Sequence, residues 1–447
     1  MRIFLTVWVG QLVSLVGSGM TRFGLAVWVY ERTGSVTQLS LIALFATLPA
    51  LLLSPIAGAL VDRWDRRWAM ILSDSGAGFC SLAIALLLFM GWLNVWSIYL
   101  LVGISAAFSA FQWPAYSAAT TLLVPAKQLG RASGLVQLSQ AIAQIFAPSL
   151  AGVLVVLIKL QSVVLIDVAT FIFSLITLLI IRFPRPMTTE QSGGRSSLRK
   201  EAVYGWTYIT ARPGLLALLL FFAGTNFTLG FVPTLLTPLV LSFASPQVLG
   251  TVSTIAGLGM LLGSLLMSAW GGPRRRVYGV LLFTLLQGVV LLLGGLQPST
   301  TLVAGAAFLF LFATPFILGS SQAIWQSKVA PDVQGRVFAV RRMIAISATP
   351  LAYVLAGPLA DRVFEPLLAP HGALAPTLGQ LIGVGRGRGI GLMLIGLGIL
   401  TGLTVLAGFL YPHLRNVEDE LPDVVISAQP DPAVSGAVTA AAASSAR

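Results

Sequence analysis

Apolar residues in this chain neither alternate nor keep to one helical face; they run on. From residue 3 to residue 411, long apolar stretches follow one another, separated by short polar turns. A helix that crosses a bilayer needs about 20 apolar residues, because the hydrocarbon layer is roughly 30 Å thick. The stretches predict twelve such helices, near 3–29, 38–61, 69–91, 96–123, 133–158, 162–182, 213–241, 248–270, 277–296, 300–327, 338–361 and 390–411. These are numbered spans 1 to 12. Backbone polar groups find no water in hydrocarbon, so each span should be a helix that bonds within itself.

A polar segment, 183–212, divides the spans six and six. It holds Pro184, Pro186 and the run Gly193-Gly194-Arg195-Ser196-Ser197. Its last part, Leu198 to Ile209, is amphipathic and is expected to lie along the inner membrane face. The organisation is then an N-terminal six-helix bundle (1–182), a cytoplasmic linker with an amphipathic helix (183–212) and a C-terminal six-helix bundle (213–412). Residues 413–447 begin with Glu418, Asp419, Glu420 and Asp423 and end in Ala/Ser low complexity, which reads as a disordered cytoplasmic tail.

Charge agrees with this picture. Only 9% of the 447 residues are charged and 56% are hydrophobic, with mean hydropathy +0.90; soluble domains carry about 25% charge. The net charge of +12 would suit a nucleic-acid partner, but its placement does not. With the N-terminus inside, the inner turns hold Arg63, Arg66, Arg67, Lys127, Arg131, Arg274, Arg275, Arg276, Lys328, Arg336, Arg341 and Arg342. The outer turns hold only Arg32, Lys159, Arg362, Arg386 and Arg388. That bias orients the chain with both termini cytoplasmic. No nucleic-acid partner is expected, and the lipid bilayer is the expected surroundings.

Several chemistries lack their residues. The first apolar run is too long for a signal-peptide core and has no Ala-x-Ala site, so it is expected to be retained. Cys80 is the single cysteine, and His371 and His413 are the only histidines, both outside the spans. A metal site or a Ser-His-Asp triad has little to draw on. No Gly-x-x-x-x-Gly-Lys-Ser/Thr loop is present, so concentrative transport would need an ion gradient rather than ATP. The expectation is a non-enzyme with no cofactor and no metal. The glycine-rich stretch Gly383-Val-Gly385-Arg-Gly387-Arg-Gly389 is not a dinucleotide loop, because no strand precedes it.

The turn between spans 2 and 3, Gly58-Ala-Leu-Val-Asp62-Arg63-Trp-Asp65-Arg66-Arg67, packs five charges between two apolar runs. Gly-x-x-x-Asp-Arg-x-x-Arg-Arg resembles the loop between helices 2 and 3 of the major facilitator superfamily. Weak internal repetition fits that family's two halves. Gln112-Trp113-Pro114-Ala115-Tyr116, Val124-Pro125 and Gly130-Arg131 return as Gln322-Ala-Ile-Trp325, Ala330-Pro331 and Gly335-Arg336. Trp270-Gly-Gly-Pro-Arg274-Arg-Arg276 echoes the charged turn without its aspartates. With Gly205-Trp206, Arg212-Pro213-Gly214-Leu215, Asn226-Phe227 and the glycine-rich stretch, the chain is similar to the macrolide-efflux branch from span 1 to span 12. Ala147-Pro148-Ser-Leu-Ala-Gly152 resembles the antiporter motif Gly-Pro-x-x-Gly-Gly, with alanines at two glycine positions. The arginine often found in helix 4 of proton-coupled exporters is absent here.

The resemblance implies the major facilitator fold: an all-α membrane protein of two pseudo-symmetric six-helix bundles that rock about a central path. In the family, helices 1, 4, 7 and 10 line that path. Polar side chains at helical spacing mark one face of span 1 (Gln11, Ser14, Ser18, Thr21) and one of span 4 (Ser105, Ser109, Gln112, Tyr116, beside Trp113). Gln137 and Gln140 in span 5, Asn226 in span 7 and Gln322 and Trp325 in span 10 complete the path candidates. The alternative for each is a bond between packed helices, worth about 0.6 kcal/mol. Arg22 and Asp167, the coupling candidates, are expected at similar depth, close enough to pair directly or through water, with Asp167 the first choice for a protonatable group. The conformational-switch candidates are Gly58, Asp62, Arg63, Arg66, Arg67 and Asp74, and Asp74 is expected to steady the charged turn.

These features point to a bacterial inner-membrane exporter, monomeric, moving a bulky amphipathic or neutral small molecule such as a macrolide-like antibiotic by proton antiport. A path with almost no acid is expected. An exporter of a siderophore, peptide or polyketide, a lysolipid flippase, and a non-transporting receptor or scaffold remain as alternatives.

Overall fold

The computed structural model describes residues 2–61, 64–125, 128–181, 198–330 and 333–421. All secondary structure among the described residues is helical. The first half comprises α1 (Arg2–Thr33), α2 (Val36–Val61), α3 (Arg66–Phe89), α4 (Val95–Leu123) and α5 (Leu129–Ile180). A linker helix, α6 (Leu198–Thr210), leads to α7 (Pro213–Gly230), α8 (Val232–Leu241), α9 (Pro246–Trp270), α10 (Arg276–Leu296), α11 (Thr300–Lys328) and α12 (Gln334–Leu359). A π-helical turn (Ala360–Phe364), α13 (Glu365–Leu367), α14 (Leu378–Ile382), α15 (Arg388–Leu410), α16 (Pro412–Arg415) and α17 (Val417–Glu420) complete it.

Eleven helical runs among the described residues are long and apolar enough to cross a bilayer, and one of them has 47 residues. At 1.5 Å per residue that run is about 70 Å long, twice what hydrocarbon requires. It breaks at Lys159, whose φ of 64° and ψ of 161° lie outside the helical region. α5 therefore holds spans 5 and 6, which makes twelve crossings. Spans 7 to 12 are α7 with α8, then α9, α10, α11, α12 and α15. Large apolar side chains such as Leu157, Ile180, Leu282 and Leu410 stand exposed on the outside, as a lipid-facing surface requires.

Polar caps start α3, α4 and α11. Asp65 Oδ1 accepts from the backbone N–H groups of Arg67 and Trp68 and starts α3. Asn94 and Ser97 form a reciprocal capping box at α4. Successive crossings put the α1–α2 turn and the segment between α12 and α15 at one end, called distal. The α2–α3 turn, α6 and both ends of the described chain lie at the other, called proximal.

The tail departs from expectation. Its first residues are ordered against the second half, with Leu414 and Val417 buried in that half's core. Glu418 Oε2 accepts from the backbone N–H of Val277 at 2.9 Å, and Lys328 Nζ donates to the Glu418 carbonyl at 2.6 Å. The low complexity further on masked two apolar anchors and an acid that complements the start of α10. Residues 422–447 lie outside the described residues. The segment between α12 and α15 is also built: Glu365 accepts from the backbone N–H groups of Gly387 and Ile390.

Candidate transport cavity

Within the first half, α1 to α5 enclose a polar cavity of about 400 Å³. α1 contributes Gln11, Ser14, Ser18, Thr21 and Arg22, and α4 contributes Ser105, Ser109, Gln112, Trp113 and Tyr116. α3 adds Asp74, Cys80 and Ser81, and α5 adds Ser139, Gln140 and Asp167. The helical stripes on α1 and α4 thus face one space.

Two carboxylates organise it. Gln11 Nε2 donates to Asp74 Oδ2 at 2.8 Å and to Ser174 Oγ at 3.0 Å, and Gln11 Oε1 accepts from Gln112 Nε2 at 2.8 Å. One amide therefore joins α1, α3, α4 and α5. Deeper along α1, Asp167 is only 1% exposed. Its Oδ1 accepts from Ser18 at 3.0 Å and its Oδ2 from Ser81 at 2.9 Å. A buried charge is tolerable only when its lone pairs are so engaged. Gly17 permits the arrangement: a Cβ there would stand 2.1 Å from Thr170 Oγ1 and 3.1 Å from the Asp167 Cα. Only a residue without a side chain lets α1 press this closely on α5 and set Ser18 against Asp167.

Two sequence expectations are corrected by this geometry. Asp74 does not steady the charged turn; it points into the cavity and bonds to Gln11. The cavity is not poor in acid, since Asp74 and Asp167 both line it. Arg22 and Asp167 share the cavity and interact electrostatically. Among the described residues, however, the ion pairs within 4.0 Å do not include them. Serines, not the guanidinium, hold both carboxylate oxygens.

The other path candidates are dispersed. Gln137 is exposed and does not line the cavity, whereas Gln140 does. Asn226 Nδ2 donates to the Ala345 carbonyl at 3.0 Å and ties α7 to α12. Trp325 is fully buried in the core of the second half, beneath the Arg341 guanidinium 5.0 Å from its ring. Gln322 Oε1 accepts from Arg341 at 3.0 Å. In the switch turn, Arg67 donates to the carbonyls of Leu178 and Leu179 at 3.0 and 2.6 Å, satisfying the end of α5. Gly58 lies within α2 and Arg66 begins α3. Asp62 and Arg63 lie outside the described residues.

Sequence reading missed Ser81, Ser139 and Ser174, and it counted Arg341 as a turn residue. Asp74 and Ser81 stand seven residues apart, which is one face of a helix, so the α3 stripe was available in the spacing.

The halves meet at the distal end. Val27, Tyr30 and Val36 of the first half share one apolar cluster with Leu235, Leu239, Ala356 and Ala360 of the second. α5 and α9 pack closely there: a Cβ on Gly250 would lie 2.6 Å from the Pro148 carbonyl oxygen, and one on Gly152 2.7 Å from that of Pro246. The antiporter-like motif is thus an interface between halves.

Twelve crossings in two halves, with a polar cavity in the first, suit a transporter, and the family model for the Major Facilitator Superfamily matches residues 7–352. The chain belongs to the major facilitator superfamily. Its superfamily relatives include macrolide efflux protein A of Streptococcus pyogenes, 32% identical over 367 residues that cover 80% of this chain and 90% of the relative. The multidrug efflux pump Tap of Mycolicibacterium fortuitum is 24% identical over 361 residues, covering 78% of this chain and 87% of the pump. Among solved structures, the fold is similar to a bacterial homologue of the human lysosomal transporter Spinster in an inward-facing, unoccupied conformation. That match has a TM-score of 0.70 and 15% identity, and covers 94% of this chain and 98% of the other. As a superfamily member, the protein is a multi-pass membrane transporter of small molecules.

Proposed function

We propose that the protein exports a bulky amphipathic small molecule, macrolide-like in character, across the bacterial inner membrane in exchange for protons. The observation that carries this reading is the pair of carboxylates, Asp74 and Asp167, bonded to amides and hydroxyls inside one polar cavity. An acid held by neutral donors can bind a proton or a ligand cation, and the two compete for it. That competition is the minimal chemistry of antiport. The names of the relatives support the substrate class, and the exposed face of Trp113 beside Ser109 and Gln112 offers an apolar contact among hydrogen-bonding groups.

With the positive turns in the cytoplasm, the distal end faces out, and the closed distal end corresponds to an inward-facing state. For a substrate without charge, one proton moving down 100 mV supplies about 2.3 kcal/mol, enough for a gradient of roughly fiftyfold. The test is uptake of a radiolabelled macrolide by cells that express the protein. Lower accumulation, restored by a protonophore, is expected; equal accumulation with and without the protein, across macrolides and other amphipathic compounds, would contradict the reading.

A further inference from the structure

The distal closure has a polar lock at its centre. Asp361 sits in the π-helical turn that succeeds α12, in the second half. Its carboxylate accepts three hydrogen bonds from the start of α2, in the first half. Ser35 Oγ donates to Oδ2 at 2.7 Å, Val36 N–H to Oδ1 at 2.9 Å, and Thr37 N–H to Oδ2 at 2.8 Å. The first N–H groups of a helix have no partner within it and carry partial positive charge. A carboxylate from the opposite half fills both needs.

The surroundings are built for this contact. Gly357, four residues before Asp361 near the end of α12, meets the same Thr37. A Cβ at Gly357 would come within 2.2 Å of the Thr37 Cα and 2.6 Å of Ser40 Oγ, so α12 and α2 touch backbone to backbone here. Ala356 and Ala360 are fully buried beside it. A π-turn inserts an extra residue into a helix and re-aims the side chains beyond it, and such turns concentrate at functional sites. Across the same seam, Arg386 lies 5.3 Å from the Tyr30 ring, and Glu365 fixes the backbone of Gly387 next to that arginine.

We infer that Asp361 is the latch of the distal gate: it holds the path closed at that end by capping α2, and releases it when the halves rock apart. The inference rests on the transport reading above, and it names a positioning residue for that cycle. Every bond in the latch crosses between halves, so none survives an opening there. Each group in it is also one that water solvates well, a carboxylate and a helix N-terminus. The exchange of protein for water partners therefore leaves the closed end only a modest preference, about tenfold, which suits a contact made and broken each cycle. The apolar and glycine contacts on either side give the closed state its fit, and the latch gives it its register.

Cysteine accessibility tests this without a substrate. Ala50 lines the cavity; an Ala50→Cys reporter is placed in a Cys80→Ala background in sealed vesicles. A membrane-impermeant maleimide is then applied to the distal or the proximal face. Asp361→Ala is expected to raise distal labelling about tenfold and to lower proximal labelling, the scale of losing hydrogen bonds to a charged group. Asp361→Asn, which keeps one acceptor oxygen, is expected between wild type and Asp361→Ala. Gly357→Val, a wedge in the same contact, is expected to act in the same direction. Ser35→Ala removes one donor to Asp361, together with the Oγ that accepts from Gln38 N–H, and is expected to give a small rise, which keeps the question open to measurement should Asp361→Ala fail to fold.

Unchanged distal labelling in Asp361→Asn and Ser35→Ala proteins that elute as wild type would overturn the latch. So would a parallel change at both faces, the mark of a merely loosened structure. Labelling that shifts as expected in a protein that expels no compound would uphold the latch and reject the exporter.

Discussion

Gln11 donates to Asp74 across 2.8 Å, from α1 to α3. Through its oxygen the same amide accepts from Gln112 of α4. The pair places a carboxyl group where an arriving proton would compete with the amide N–H for the same oxygen. Asp74→Asn keeps the shape and removes the titrating group. Proton-driven efflux in proteoliposomes is expected to fall by about tenfold or more, while exchange of labelled for unlabelled substrate at equal pH persists. Equal losses in both assays would instead make Asp74 a binding or structural residue.

Ser81 holds one oxygen of Asp167 and Ser18 the other. Ser81→Ala leaves a nearly inaccessible carboxylate short of a donor, which costs about 1.5–3 kcal/mol when the acceptor is charged. Thermal unfolding in detergent is expected to shift down by several degrees. In the Ser81→Ala/Asp167→Asn double variant most of that loss is expected to vanish, since the charge that needed the donor is gone. Additive losses would show that Ser81 acts elsewhere.

Two tryptophans separate path from core. Trp113 is 49% exposed and lines the cavity, whereas Trp325 is fully buried. Trp325→Ala is expected to cost about 3–5 kcal/mol of stability, as large core truncations do. Trp113→Ala is expected to leave the melting temperature within a degree or two and to change which compounds are expelled. A reversal of these effects would place the substrate in the second half.

The ordered start of the tail supplies an acid that the second charged turn lacks. Asp65 caps α3 from within its own turn. Arg275, the residue before α10, makes no side-chain cap, and Glu418 takes the equivalent role at Val277. Glu418→Ala is expected to cost about 0.5–2 kcal/mol, the range for a lost N-cap. Asp419→Ala is expected to change little, because its 3.5 Å pair with Arg275 is exposed on both sides. Differential scanning fluorimetry of the two variants checks the contrast.

Much of the fold was legible in the residues, because hydrocarbon imposes a long apolar run on every crossing. The break between spans 5 and 6 was readable from Lys159 and its polar neighbours, where the backbone leaves the helical region. The stripes of α1 and α4 were legible because 3.6-residue spacing maps directly onto a face. The α3 pair, Asp74 and Ser81, was legible in the same spacing, but Asp74 stands close to a charged turn in sequence and reads as part of it. Spacing did not reveal the fate of Trp325: pseudo-symmetry aligns Gln322 with Gln112, but Arg341 covers the second half's counterpart and the ring sinks into the core. Contacts between halves, such as Asp361 with Thr37, join residues hundreds of positions apart and leave no local pattern.

The central claim is that the polar cavity of the first half is a substrate path that opens to each side of the membrane in turn. Ser109, exposed on its wall, is the place to measure it. In a Ser109→Cys/Cys80→Ala protein, labelling by an impermeant maleimide is expected from either face, slowed by a transported compound and shifted between faces by a proton gradient. Labelling from one face only, indifferent to both compound and gradient, would contradict the account.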